Sequence, residues 1–135
     1  MPLSVTESLP IRSSEDVVRM RQWVRARAVS MGFTLVDQTK IVTAASELAR
    51  NIIEHGGGEG HVRLDLITNN SKNGLRLTFE DKGPGIADVD KALKDGFTSR
   101  GGLGFGLGGA KRLVNEFEIV SRPGEGTRVT ITRWK

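Results

Sequence analysis

The chain has 135 residues, 37% of them hydrophobic, with 20 basic and 16 acidic side chains and a net charge of +4. That size fits one domain spanning 1–135 with a single core, and no apolar run approaches the roughly 20 residues of a membrane span. Cysteine is absent, which excludes disulfides and thiolate metal sites and suits a reducing cytoplasm, and the start Met1-Pro2-Leu3-Ser4 lacks the basic and apolar segments of a secretory signal. The mild charge reads as a solvated surface. The two Trp and five Phe do not interleave with a basic cluster, so a single-strand nucleic-acid platform is not supported.

Val5 to Ile11 is predicted as a short edge strand, where Pro10 is tolerated because no inner ladder needs its missing donor. Ser13 to Asp16 opens a first helix with a capping-box start, and Gly32 ends it. Val17, Met20, Val24, Ala28 and Met31 fall on its buried stripe, with Arg19, Arg25 and Arg27 largely off it. Thr34 to Asp37 opens a second helix, which buries Ile41, Ala45, Leu48 and Ile52 and stops at Gly56, Gly57, Gly58 and Gly60. Two strands follow, His61–Thr68 and Leu75–Glu80, joined by a polar turn from Asn69 to Gly74. Asp81 to Gly85 is a turn, Ile86 to Arg100 a polar segment expected to be mobile, and Gly101 to Gly109 a glycine-rich loop. A third helix is predicted over Ala110–Glu116, with Leu113, Val114 and Phe117 facing inward. Strands Glu118–Ser121 and Thr127–Trp134 close the chain around the turn Arg122 to Gly126. The sum is an α+β, two-layer sandwich: helices on one face of a mixed, mainly antiparallel sheet.

Seventeen glycines are unusual, and nine of them lie between Gly83 and Gly109. Glycine costs conformational entropy on folding, so such clustering marks either a flexible loop or a close backbone approach. Four pieces of sequence can carry chemistry. Glu47 and Asn51 stand four apart on the second helix, so both project from one face. A carboxylate and an amide oxygen so placed suit a proton and a hard cation such as magnesium. Asp81-x-Gly83-x-Gly85 follows a strand: an Asp there can accept from an exocyclic amine, and the glycines let the backbone approach a flat ring. The run Gly101 to Gly109 enters a helix, where backbone N–H groups make an anion site. It lacks the Gly-Lys-Ser/Thr ending of a P-loop, and no βαβ unit surrounds it. Gly124-Glu125-Gly126-Thr127 is a hairpin turn that can place a hydroxyl beside a base. Singly, each piece also reads as helix surface, ordinary turn, flexible linker or hairpin.

Their order is the informative part. The pattern Glu-x-x-x-Asn, Asp-x-Gly-x-Gly, Gly-x-Gly-x-Gly and Gly-x-Gly-Thr resembles the GHKL (Bergerat-fold) ATPase superfamily from about Thr34 to Trp134. Within it the chain is most similar to the small anti-sigma-factor-type serine/threonine kinases of bacteria, and among these to the stressosome switch kinases. The stretches 43–51, 95–104 and 111–117 carry that likeness, as does the end after Trp134-Lys135.

The resemblance implies a protein serine/threonine kinase that uses ATP and Mg²⁺. Glu47 would be the general base, Asn51 the Mg²⁺ ligand and Asp81 the adenine-reading carboxylate. Gly83 and Gly85 would lie beneath the nucleotide, Gly104, Gly106 and Gly108 would form the phosphate loop, and Thr127 would stand on the adenine side. Ile86 and Leu107 read equally as neighbours of the base and as core. Arg100, directly before the loop, would reach the terminal phosphate, since cations beside the phosphoryl oxygens assist transfer. Arg50 projects about a quarter-turn from Asn51 and reads as a structural salt bridge. Neither His55 nor His61 has the helical surroundings of a phosphoacceptor. The short segment before the loop favours a kinase acting on a docked partner over an ATP-driven clamp. The family's partners are STAS-domain antagonist or scaffold proteins as substrates and a PP2C-type phosphatase, acting in a stress-response, sigma-factor partner-switching pathway. The alternatives are an anti-sigma factor that sequesters a sigma subunit with secondary kinase activity, and a nucleotide-binding regulator without chemistry.

Overall fold

The computed structural model describes residues 6–86, 88–93 and 106–135. Strand β1 (Thr6–Ile11) leads to helix α1 (Ser14–Ser30) and helix α2 (Leu35–His55). Strands β2 (Gly60–Asn69) and β3 (Lys72–Asp81) follow, then the short helices α3 (Val89–Ala92) and α4 (Leu107–Arg112), and finally strands β4 (Glu116–Arg122) and β5 (Gly126–Trp134). The strands form one sheet in the order β1-β2-β3-β5-β4, and every pairing is antiparallel. This is the expected sandwich, with α1 and α2 packed together, and α4 on α2, over one face of the sheet.

Both long helices start as their sequences direct. Ser13 caps α1 by accepting from the Asp16 N–H at 3.2 Å, and Thr34 caps α2 by accepting from the Asp37 N–H at 3.1 Å. Met20, Val24 and Ala28 of α1 and Ile41, Ala45, Leu48 and Ile52 of α2 are buried against Val62, Leu64, Leu75, Leu77, Phe79, Val129 and Ile131 of the sheet. Each of these side chains larger than alanine contributes about 1.5–3 kcal/mol on leaving water.

Several boundaries differ from the sequence reading, and the short helix α3 lies in the segment expected only to be polar and mobile. The six-residue turn expected between β2 and β3 is only Asn70-Ser71, both left-handed with φ of 49° and 72°. Two successive positive φ values match the strand twist, so pairing continues to Asn69↔Lys72. The third helix begins three residues earlier than expected and ends at Arg112. Burial of Leu107, Gly108, Gly109 and Ala110 holds its start. Glu116 is already in β4, opposite Thr132, where its carboxylate accepts from the Trp134 indole N–H at 2.6 Å. Trp134 itself lies over Gly74, where a Cβ would stand 2.7 Å from the ring.

An ion pair closes the far end of α2. Arg133 of β5 donates to Asp37 at 2.6 Å and to the Leu113 carbonyl at 3.0 Å. It thereby ties the first turn of α2 to the last strand and to the end of α4. The guanidinium hydrogen bond is the main cause holding the Asp37 carboxyl below its usual range, against a smaller opposing effect of burial. A depressed folded pKa adds stability that is present above the unfolded value and is lost as pH falls through the folded one. Asp37→Asn is therefore expected to lower the urea midpoint at about pH 7, with the gap to wild type closing as pH drops below about 4. A gap independent of pH would show that the pair contributes nothing through its charge.

Candidate active site

The last turns of α2 carry Glu47, Arg50 and Asn51. Glu47 is largely buried, at 19% exposure, and its Oε1 accepts from Arg50 Nη1 at 2.9 Å. The salt bridge expected for Arg50 is thus made with the candidate base itself. Asn51 is half-buried one turn on from Glu47. The helix then closes at Gly56, whose N–H donates to the carbonyls of Asn51 and Ile52, both at 3.0 Å. The Gly58 N–H also reaches the Ile52 carbonyl, at 3.2 Å.

Against that closed end stands Asp81, the last residue of β3. A Cβ on Gly56 would lie 2.5 Å from Asp81 Oδ2 and 2.9 Å from the Ile52 carbonyl oxygen. Gly83 packs on the same backbone: a Cβ there would lie 2.6 Å from the Gly56 oxygen. Only two glycines in contact let the helix end and the turn after β3 approach this closely. Asp81 Oδ1 accepts from the Gly83 N–H at 2.9 Å, and Thr127 pairs with Asp81 across the sheet. Burial dominates nonetheless and pushes the Asp81 carboxyl above its ordinary value, with the Gly83 and Thr127 N–H groups opposing it.

The opposite wall comes from the β4–β5 hairpin. Gly85 adopts φ 77° and Gly126 φ 89°, and a Cβ on either would run into a backbone carbonyl, of Arg122 and of Asp81 respectively. The Gly124 N–H donates to the Pro84 carbonyl at 2.7 Å. Ser121 Oγ accepts from the Ile86 N–H at 2.8 Å and lies 2.7 Å from Thr127 Oγ1. The hydroxyl of Thr127 is therefore fixed on the residue that pairs with Asp81, one residue into β5. Leu107 is core, and Ile86 packs against the core.

The candidate phosphate loop is described in part. Gly106 is the N-cap of α4, with no side chain capping it, and Gly108 is buried in its first turn. Because α4 packs on α2, this entrance rests on the helix that carries Glu47 and Asn51. Gly104 and Arg100 lie outside the described residues, as does most of the segment expected to be mobile. His55 is the last residue of α2, beside Glu54 at 3.9 Å, and His61 stands 3.5 Å from Glu80.

Sequence reading brings Glu47, Asn51, Asp81, Gly83, Gly85 and Thr127 to attention, and the fold links Asp81 to Gly83 by a direct hydrogen bond and to Thr127 by strand pairing. It misses Gly56, read only as a helix stop, and Ser121. A glycine directly after a helix that ends beside an Asp-x-Gly turn is the available signal for the first. Nothing local marks the second, because its three partners are 35, 5 and 6 residues away.

Comparison with known proteins shows which family the chain is similar to. Residues 36–135 match the family described as Histidine kinase-, DNA gyrase B-, and HSP90-like ATPase. The chain is 45% identical over 124 residues to the Serine/threonine-protein kinase RsbT of Bacillus subtilis (strain 168), covering 92% of each. It is 34% identical over 132 residues to the Anti-sigma F factor of Thermoanaerobacter sp. (strain X514), covering 92% of this chain and 89% of that one. Among solved structures, the RsbU and RsbW domains of a Mycobacterium tuberculosis protein align over 99% of this chain and 33% of theirs, at TM-score 0.64 and 21% identity. The mycobacterial sensor histidine kinase MprB aligns over 96% of this chain and 97% of its own, at TM-score 0.56 and 19% identity, and both structures speak to fold alone. The chain belongs to the histidine kinase-, DNA gyrase B- and HSP90-like (GHKL) ATPase family, in the branch that holds RsbT and the anti-sigma F factors.

Proposed function

We propose that the chain is an ATP-dependent serine/threonine kinase that phosphorylates STAS-domain partner proteins in a partner-switching pathway of the cytoplasm, and that it activates a PP2C-type phosphatase by binding. The observation that carries this reading is the joining of Asp81 to the end of the helix bearing Glu47 and Asn51. Adenine binds at Asp81, which accepts from the exocyclic amine, with Gly83 and Gly85 beneath the ring and Thr127 at its edge. The triphosphate runs toward α4, where Gly104, Gly106 and Gly108 present backbone N–H groups, and Arg100 meets the terminal phosphate. Glu47 accepts the proton of the attacking hydroxyl, the role a positioned carboxylate serves in general-base catalysis.

The donor set fits magnesium as these nucleotide sites hold it. The described residues contain no cluster of three or more His, Cys, Asp or Glu side chains, so they build no protein cage for a metal. Asn51 offers one hard oxygen, and phosphates and water complete the shell that Mg²⁺ prefers. Magnesium, when bound, neutralises phosphate charge. No helix among the described residues is long and apolar enough to cross a membrane.

Sequestering a sigma subunit is the second reading, favoured by the 34% identity to an anti-sigma F factor and set against 45% to RsbT. The primary reading predicts that a purified sigma subunit stays free when mixed with the chain and Mg-ATP. Co-elution of the two on gel filtration would favour the second.

Two variants test the site. Glu47→Ala is expected to retain Mg-ATP binding by calorimetry while phosphoryl transfer to a STAS-domain protein of the same genome, read by mass, falls about 100-fold or more. Unchanged transfer would remove Glu47 from the chemistry. Gly56→Ala drives a methyl group at the Asp81 carboxylate and is expected to weaken Mg-ATP binding about tenfold or more, with a stability loss of about 1–3 kcal/mol. Gly58→Ala, at φ 88° with open space around its Cβ position, is the control expected to leave nucleotide affinity alone. Equal affinities for the two variants would show that the Gly56–Asp81 approach is not part of the nucleotide seat.

A further inference from the structure

Resting on the kinase reading above, we infer that Arg50 is a positioning residue that holds the Glu47 carboxylate in its working rotamer. Among the described residues, Arg50 is the only hydrogen-bond partner of the Glu47 side chain: Nη1 donates to Oε1 at 2.9 Å, and none of them donates to Oε2. One oxygen is anchored and the other is left to accept a proton.

The exposures separate this pair from an ordinary helix ion pair. Arg50 is 51% exposed and Glu47 only 19%. An exposed guanidinium loses strength to solvent and adds little to stability, so stability does not explain the contact. The carboxylate, by contrast, is held in a partly dry position where it has one anchor. Helical side chains lean toward the N-terminus, so a residue at i+3 covers the turn before its own. Arg50 therefore leans back over Glu47. Asn51, at i+4 from Glu47, shares the face but makes no hydrogen bond to it among those described.

Arg50 holds the carboxylate through one N–H and so fixes it where the hydroxyl must arrive, and misplacement by about 1 Å can cost on the order of 100-fold in rate. Removing Arg50 is therefore expected to slow the reaction, not to speed it.

The experiment compares wild type, Arg50→Ala, Arg50→Lys, Glu47→Ala and the Arg50→Ala/Glu47→Ala double variant. Mg-ATP affinity is read by calorimetry. The kcat and the KM for ATP are read from transfer to the STAS-domain protein and from Mg-ATP hydrolysis by the chain alone. Arg50→Ala is expected to lower kcat about tenfold with KM and affinity unchanged, and Arg50→Lys to recover most of it. The double variant should fall no further than Glu47→Ala, because Arg50 acts only through that carboxylate. An unchanged kcat in an active Arg50→Ala overturns the inference. So does a weakened Mg-ATP affinity with losses additive to Glu47→Ala, which would put Arg50 on the nucleotide. A wild-type chain that binds Mg-ATP but neither transfers nor hydrolyses it overturns the kinase reading and this inference together.

Discussion

The site depends on backbone touching backbone. Gly56 ends α2 with its N–H turned back onto Asn51 and Ile52, and its outer side lies against Gly83 and the Asp81 carboxylate. On the other side, Gly85 lets the turn after β3 meet the end of β4, and Gly126 lets the start of β5 meet the end of β3, without side chains between them. Segments 56, 81–85 and 121–127 are far apart in the chain. They converge only because the antiparallel order puts β5 beside β3 and brings Thr127 opposite Asp81. A single methyl group in these contacts meets a carbonyl or a carboxylate, not a void. The entropy cost of so many glycines is thus offset by an arrangement no other residue allows.

The two ion pairs of α2 show how similar chemistry serves different ends. At its first turn, Arg133 is 14% exposed and Asp37 29%, and the guanidinium also satisfies the Leu113 carbonyl. That pair joins three elements and belongs to the fold. Near its last turn, Arg50 reaches, among the described residues, Glu47 of its own helix. A contact between residues three apart fastens nothing to anything else, so its consequence lies in where the carboxylate of Glu47 is held. The helix is pinned at one end and presents its chemical groups near the other.

Much of the fold was legible because its elements are locally consistent. The capping residues Ser13 and Thr34, the aliphatic stripe from Ile41 to Ile52 and the alternation from Leu75 to Phe79 each give one answer at short range. The β2–β3 turn was not, because Asn70-Ser71 carries no glycine to announce its left-handed pair. The start of α4 was not, because three glycines within 106–109 read as loop. The helical conformation of Gly108 and Gly109 follows from burial, with α4 packed on α2, which is a tertiary effect. The site was legible as an order of motifs but not as contacts. Asp81 and Thr127 could be named from their motifs, whereas Gly56 and Ser121 act through partners the local sequence does not reveal.

The open face of the sheet bears on how the chain's charge is distributed. Opposite the helices, a concavity of about 520 Å³ is lined by Arg63, Arg76 and Arg128 together with Glu80, Glu116 and Glu118. The strand register sets these charges against each other row by row: Arg128 faces Glu80, Arg76 faces Asp65, and Glu116 and Glu118 face Thr132 and Thr130. Arg76 comes within 3.7 Å of Glu116, and Arg63 within 3.1 Å of Asp65. Opposite charges facing across strands cancel at distances greater than the Debye length, about 8 Å in physiological salt. The face is therefore polar without being basic, and the net charge of +4 is not concentrated there.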